Sequence, residues 1–155
     1  MGPVHSEAMD NWHALISQLG EQAEHLRIDQ FISVEYTTGH HLVPEPYAQA
    51  AHAEPELICE VVSDVYLPAT EWPLDEVALR RAGWSAPSQG TENWWRMVTG
   101  TDQVAAALVE GLRVGRACRD PESFTWSVGT FPPGPGNGEP VPVDVPLSGH
   151  VARVA

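Results

Sequence analysis

Apolar side chains recur at Met9, Trp12, Ile16, Leu19, Ala23 and Leu26, in steps of three and four. That spacing draws one narrow stripe down a helix. Ser6 stands ahead of the stripe as an N-cap, with Glu7 and Asp10 in a first turn where the helix dipole favours anions. Gly20 weakens the helix modestly. The period then changes to two: Ile32, Val34 and Tyr36 alternate with Ser33 and Glu35, which predicts a strand. A turn region with a glycine and two prolines spans Gly39 to Pro46. Tyr47 to Ala53 predicts a second strand with weaker alternation. Ala53-Glu54-Pro55-Glu56 makes a turn, and Leu57 to Ser63, rich in Val and Ile, predicts a third strand. Three sequential strands with short connections imply an antiparallel meander.

A helix over Leu74 to Ala82 follows. Pro73 opens it, Asp75 and Glu76 sit in its first turn, Arg80 and Arg81 in its last, and Gly83 closes it. Trp84 to Gly100 reads as a loop with short structure at most. Thr101 then caps a helix reaching about Ala117, with the stripe Ala105, Leu108, Val109 and Leu112. Phe124, Trp126 and Val128 alternate with Thr125 and Ser127 as a fourth strand. Residues 131–146 carry six prolines and three glycines, a composition of extended or disordered chain with polyproline II character. Within it Val141, Val143 and Val145 alternate and admit a weak edge strand. This order predicts an α+β fold, an antiparallel sheet of three to five strands with helices packed on it. It occupies a single domain over residues 1–130, followed by a Pro/Gly-rich tail over 131–155.

Charge adds a second layer. The 155 residues hold 21 acids against 8 arginines, with no lysine, for a net charge of -13. Residues 1–79 carry fourteen of the acids and one base, Arg27, while residues 80–155 are balanced at seven and seven. Such a field repels nucleic acid and anionic lipid and attracts basic partners. Solubility alone also accounts for it. No basic start followed by an apolar run marks a signal peptide, and no stretch of about 18 apolar residues spans a membrane, so a cytoplasmic location is expected. Cys59 and Cys118 lie far apart and show no metal-ligand spacing, which reads as two buried free thiols.

The search for chemistry finds little. His40-His41 lacks a third ligand at a recognisable spacing, and His5, His13, His25, His52 and His150 form no cluster. Ser63-Asp64 and Ser85 lack a nucleophile elbow. No phosphate loop, dinucleotide fingerprint or calcium loop is present. No catalytic residue, cofactor or metal ligand is therefore assigned. The tryptophans are more telling: Trp72, Trp84, Trp94 and Trp95 cluster in or beside the mid-chain loop. They suit a binding hot spot or a plug over the core. The plug is favoured because Trp84 follows Gly83 and Trp94 follows Asn93.

One set of motifs carries a family resemblance. It consists of Tyr47-x-Gln49, Leu57-x-x-Glu60-Val61-Val62-Ser63-Asp64, Leu67-Pro68, Leu79 before Gly83-Trp84-x-x-Pro87, Asn93-Trp94, Leu108-Val109-x-x-Leu112-Arg113 and Pro121. This stretch, Tyr47 to about Glu122, resembles the TY-Chap domains, actinobacterial relatives of type III secretion chaperones and YbjN proteins. Asp64 departs from the Asn expected there, and the Pro-rich tail lies outside the pattern. The resemblance implies a secretion-chaperone-like helix–sheet sandwich that holds a partner segment extended, without catalysis, and that is often dimeric. The expected function is a non-catalytic, chaperone-like module binding a protein or peptide, possessing no cofactor. The alternative is an acidic immunity or antitoxin-type protein neutralising a basic partner. Glu35, Tyr47, Gln49, Glu60, Trp94 and Trp95 are the candidate partner-binding residues. A basic partner fits the charge, a homodimer is permitted by the helix stripes, and nucleic acid and membrane are not expected as partners.

Overall fold

The computed structural model describes residues 2–37, 45–88 and 90–131, with the side chains of the first helix from Asn11 onward. The expected Pro/Gly-rich tail beyond Phe131, the pair His40-His41 and most of the turn between the first two strands lie outside the described residues.

The apolar stripe folds as α1 (Gly2–Glu24). Leu15, Leu19 and Ala23 are buried, and Trp12 and Ile16 pack against the core. The helix begins ahead of the expected cap, and Ser6 lies inside it. A proline in the first turn is pre-set for helix and forfeits no hydrogen bond there, and Pro3 occupies that place. The strands β1 (Gln30–Tyr36), β2 (Tyr47–Ala53) and β3 (Glu56–Val61) form the expected meander. With β4 (Trp94–Val98) and β5 (Phe124–Thr130) they make one five-stranded sheet in the order β4-β3-β2-β1-β5. Every neighbouring pair is antiparallel.

β4 falls in the stretch expected to be a loop. It pairs with β3 from Leu57↔Val98 to Val61↔Trp94. Its sequence Trp-Trp-Arg-Met-Val shows no polar alternation because apolar residues stand on both of its faces, which erases the period-two signal. Trp94 and Val98 join the main core, whereas Trp95 and Met97 join a smaller cluster on the opposite face.

The two later helices also differ from expectation. α2 (Glu76–Arg81) is capped by Asp75, whose side-chain oxygen accepts from the Ala78 N–H at 3.0 Å. The long helix is three segments: a 3₁₀ turn Thr101–Gln103, α3 (Val104–Glu110) and a π segment Gly111–Gly115. Gly100, not Thr101, holds the cap position, without a side-chain bond. Gly111 lies close against the sheet: a Cβ there would stand 2.5 Å from Val61 Cγ2 and 2.7 Å from Trp84 Cζ2.

The helices cover one face of the sheet. α1 packs on α3, and α3 packs on β2 and β3. Ala48 and Ala50 give α3 room over the central strand, and both are fully buried. Ile32, Val34, Leu57, Cys59, Val61 and Phe124 complete this inner face. The tryptophans divide. Trp84 and Trp94 are buried in the core, as a plug requires, while Trp95 lies on the far side of the sheet.

A cation is locked into this core. Arg116 is fully buried and makes no ion pair with a carboxylate among the described residues. Its Nη1 donates to Val62 O at 3.1 Å, and its Nη2 donates to Leu67 O at 2.7 Å and Trp72 O at 3.1 Å. In return Trp72 Nε1 donates to Arg116 O at 2.5 Å. Desolvation lowers the pKa of the guanidinium, opposed by Cys118 and Asp64. The three carbonyls belong to the connection from β3 toward α2, so one side chain holds that connection against the end of the π segment. Arg116→Met removes all three donors and leaves buried carbonyls unpaired, at about 1–3 kcal/mol each when unsatisfied. We expect a loss of about 3 kcal/mol or more in urea unfolding, with protease cleavage appearing first in residues 63–72.

Burial also silences the thiols. Desolvation pushes Cys59 up from 9.0 to about 12, with Arg96 opposing and Glu60 adding, and pushes Cys118 up to about 12 with Arg116 opposing. Above about pH 9 the unfolded chain releases thiol protons that the native state keeps. Stability is therefore whole below pH 9 and falls as pH rises toward 12, by up to roughly 1.4 kcal/mol per pH unit for each thiol. Urea midpoints measured from about pH 8 to about pH 11 should decline, and Cys59→Ala and Cys118→Ala should each flatten the decline.

Candidate partner-binding site

The outer face of the sheet, away from the helices, is built from the odd-numbered residues of β1 and β2 and their register partners. One row runs Ser127, Ser33, Gln49, Glu60 and Trp95 across all five strands. The next runs Gly129, Phe31, Ala51, Ile58 and Met97. A polar row thus lies beside an apolar one. At the far rim Glu35 pairs with Tyr47 and Thr125. The alternation of β2, with Ala48 and Ala50 inward and Tyr47, Gln49 and Ala51 outward, creates this division.

Five of the six residues singled out from sequence meet on this face: Glu35, Tyr47, Gln49, Glu60 and Trp95. Trp94 points the other way, 1% exposed, with Arg80 stacked 5.2 Å from its ring centroid. The five are not equally accessible. Glu35, Tyr47 and Trp95 are half-buried, whereas Gln49 and Glu60 are buried.

The buried members form a network. Asn93 Nδ2 donates to Glu60 Oε1 at 3.1 Å and to the Tyr47 hydroxyl at 3.4 Å. Gln49 Nε2 reaches the same Glu60 oxygen at 3.5 Å. Asn93 Oδ1 accepts from the Ser63 N–H at 3.0 Å, and Ser63 Oγ donates to Glu92 O at 2.5 Å. The Tyr66 hydroxyl donates to the Glu92 carboxylate. A buried carboxylate is tolerated when amide donors replace its water. Tyr47, Gln49, Glu60, Ser63 and Asn93 come from three separate stretches of the motif set, and folding brings them into one hydrogen-bonded group.

Sequence reasoning passed over Ser33, Ser63 and Asn93 as site residues. Asn93 and Ser63 carried a signal, since both stand in the motifs; Ser33 carried none beyond its outward place in β1. Three atoms on the central row are buried without a hydrogen-bond partner: Ser33 Oγ, Gln49 Oε1 and Trp95 Nε1. Two can donate and one accepts. Such atoms are rare in a finished interior and suit a surface that receives another backbone.

Other parts of the described structure offer less. Three shallow grooves of about 530, 520 and 540 Å³ lie around the helical side. None of them brings together a serine, cysteine or histidine to act as nucleophile or base. Among the described residues no three His, Cys, Asp or Glu side chains converge to hold a metal ion. No helix among them is long and apolar enough to cross a membrane.

The family model described as T3SS (YopN, CesT) and YbjN peptide-binding chaperone 3 matches residues 5–128, from α1 to β5. No curated protein and no solved structure matches the chain. The match takes in all but the two ends of the helix–sheet body and every residue of the buried network, and the chain therefore belongs to the TY-Chap3 family of peptide-binding chaperones.

Proposed function

We propose that this protein is a non-catalytic, chaperone-like module that holds an extended segment of a partner protein on the outer face of its sheet. The observation that carries the reading is the convergence of Glu35, Tyr47, Gln49, Glu60 and Trp95 on that face, beside polar atoms left without partners. The rim aromatics Tyr47 and Trp95 are anchors of the type that dominates protein interfaces. The apolar row receives alternate side chains of an extended chain, and Ser33, Gln49 and Trp95 meet its backbone groups. The outward edge of β5 pairs with no strand among the described residues and gives an extended ligand a second point of attachment.

The partner is basic. Of the acids in residues 1–79, Glu35, Glu54, Glu56 and Glu60 lie on the strands and turn of the meander that forms this face, and Glu35 stands at its rim. Opposite charge steers encounter and sets specificity more than it adds affinity. The module acts in the cytoplasm and uses no cofactor. The stripe of α1, which sequence alone leaves free to pair two copies, packs inside the fold. Neither the fold nor the family favours the immunity or antitoxin alternative.

Fluorescence anisotropy with a labelled extended peptide of alternating apolar and basic residues tests this. Saturable binding is expected. The double variant Tyr47→Ala with Trp95→Ala should weaken it at least about tenfold, or about 1.4 kcal/mol. Val77→Ser, on the exposed side of α2, should leave it unchanged. Affinity should also fall as the screening length shrinks from about 10 Å at 0.1 M salt to about 3 Å at 1 M. Binding indifferent to the double variant would remove the outer face as the site. Binding indifferent to salt would remove the basic partner.

A further inference from the structure

The outer face poses a problem of coverage. No helix or loop among the described residues packs on its apolar cluster, whose members all come from the sheet itself and from Phe131. Yet Phe31, Ala51 and Ile58 keep 3%, 2% and 8% of their surface, and Ser33, Gln49 and Glu60 keep 2%, 0% and 1%. A bare sheet face does not look like this. The rim, by contrast, stays half-open at Glu35, Tyr47 and Trp95.

The chain itself leaves the described structure at this place. Beyond β5, the Phe131 N–H donates to Asp29 O at 2.9 Å, and the Phe131 ring packs on Phe31 with centroids 5.0 Å apart. The backbone is thereby delivered onto the outer face at the end of its apolar row. Residues 132–155 follow, 24 in all. Five strands about 4.8 Å apart span about 19 Å. Extended polyproline II chain advances about 3.1 Å per residue, so about seven residues cross the face.

We infer that segment 132–155 of this chain is the resting occupant of the outer face, a ligand in cis that a partner peptide displaces. The part concerning displacement rests on the function proposed above; the occupancy does not. Three features of the segment suit it. Val141, Val143 and Val145 alternate and match the apolar row of Phe31, Ala51 and Ile58. Its six prolines lack N–H groups and offer carbonyls, which fit the unpartnered donors Ser33 Oγ and Trp95 Nε1. Proline-rich chain also docks on aromatic surfaces with little entropy left to lose, and Trp95 stands in the row beside the apolar one, with Tyr47 at the rim beyond it. Glu139, Asp144 and Arg153 sum to -1, so the segment meets the acidic body with little repulsion.

A thiol placed under the occupant tests this in the full chain. Ala51→Cys lies on the outer face and is buried, while the native thiols Cys59 and Cys118 are buried and report whether the body stays folded. Its reaction with DTNB should be slow in the otherwise intact chain. Adding Val141→Asp, Val143→Asp and Val145→Asp should speed it by roughly tenfold or more, the ratio following the fraction of open face. Cys59 and Cys118 should remain unreactive. If Ala51→Cys fails to fold by circular dichroism, Ile58→Cys gives the same readout. A thiol that reacts freely in the intact chain, or one whose protection ignores the tail substitutions, overturns the inference. Protection that disappears on dilution assigns the face to a second copy and overturns it as well.

The anisotropy peptide separates this result from the function. Tighter peptide binding by the tail-substituted chain supports both. Lost protection with no peptide binding upholds the occupant and removes the partner. Peptide binding at the face with protection unaltered by the tail substitutions does the reverse.

Discussion

A five-stranded sheet with helices on one side must dispose of its other side, and that constraint shapes this protein. The inner face follows ordinary core rules. Alanines of β2 make room for α3, and Leu, Val and Trp fill the rest. The outer face follows different rules. It sets an apolar row beside a row of Ser, Gln and Glu. Of the five buried polar atoms unpaired among the described residues, three, Ser33 Oγ, Gln49 Oε1 and Trp95 Nε1, fall in that one row. A face designed only for stability would be uniformly apolar under a second layer, or uniformly polar in water. This one is divided, and a divided face is what an extended polypeptide needs: pockets for alternate side chains and partners for backbone groups.

Two buried polar systems support that arrangement from different sides. The Gln49–Glu60–Asn93 group ties β2, β3 and the entry to β4 together beneath the rim of Tyr47. Its geometry fixes where the hydroxyl of Tyr47 and the amide of Gln49 are held. Arg116 does comparable work for the chain after β3, gripping Val62, Leu67 and Trp72 through their carbonyls. A buried charge is tolerable when its donors meet acceptors, and both terminal nitrogens of Arg116 do, although its Nε has no partner among the described residues. Rigid support of this kind lets the rim residues stay half-exposed without losing their positions, and links packing to recognition.

Much of the architecture was legible from residue order. The α1 stripe and the alternation of β5 reflect one buried face and one less buried, which periodicity detects. β1 alternates in polarity although Phe31 to Val34 are buried on both faces, and the turn at Ala53 to Glu56 is marked by its proline. β4 was not legible, because Trp94 and Trp95 are apolar on opposite faces and the pattern goes silent. The break of the long helix into 3₁₀, α and π parts was also hidden. It follows from the approach of Gly111 to Val61 and Trp84, contacts from distant parts of the chain. The cap at Ser6 was a local signal overruled by a helix that starts earlier. The candidate site was legible in membership but not in depth. Sequence motifs pointed to Tyr47, Gln49 and Glu60, while only folding distinguishes a rim residue from a buried one.

By itself, the order of residues determined the α+β class, the antiparallel meander, the acidic asymmetry and the family, because each depends on local period, composition or short motifs. Only the tertiary structure decided which way Trp94 and Trp95 face, that Asn93 and Ser63 join Glu60, and that Arg116 is buried among carbonyls. Those outcomes depend on which segments become neighbours across the sheet. Strand pairing joins residues thirty or more positions apart, as Ser63 and Asn93 show, and no local pattern along the chain encodes that meeting.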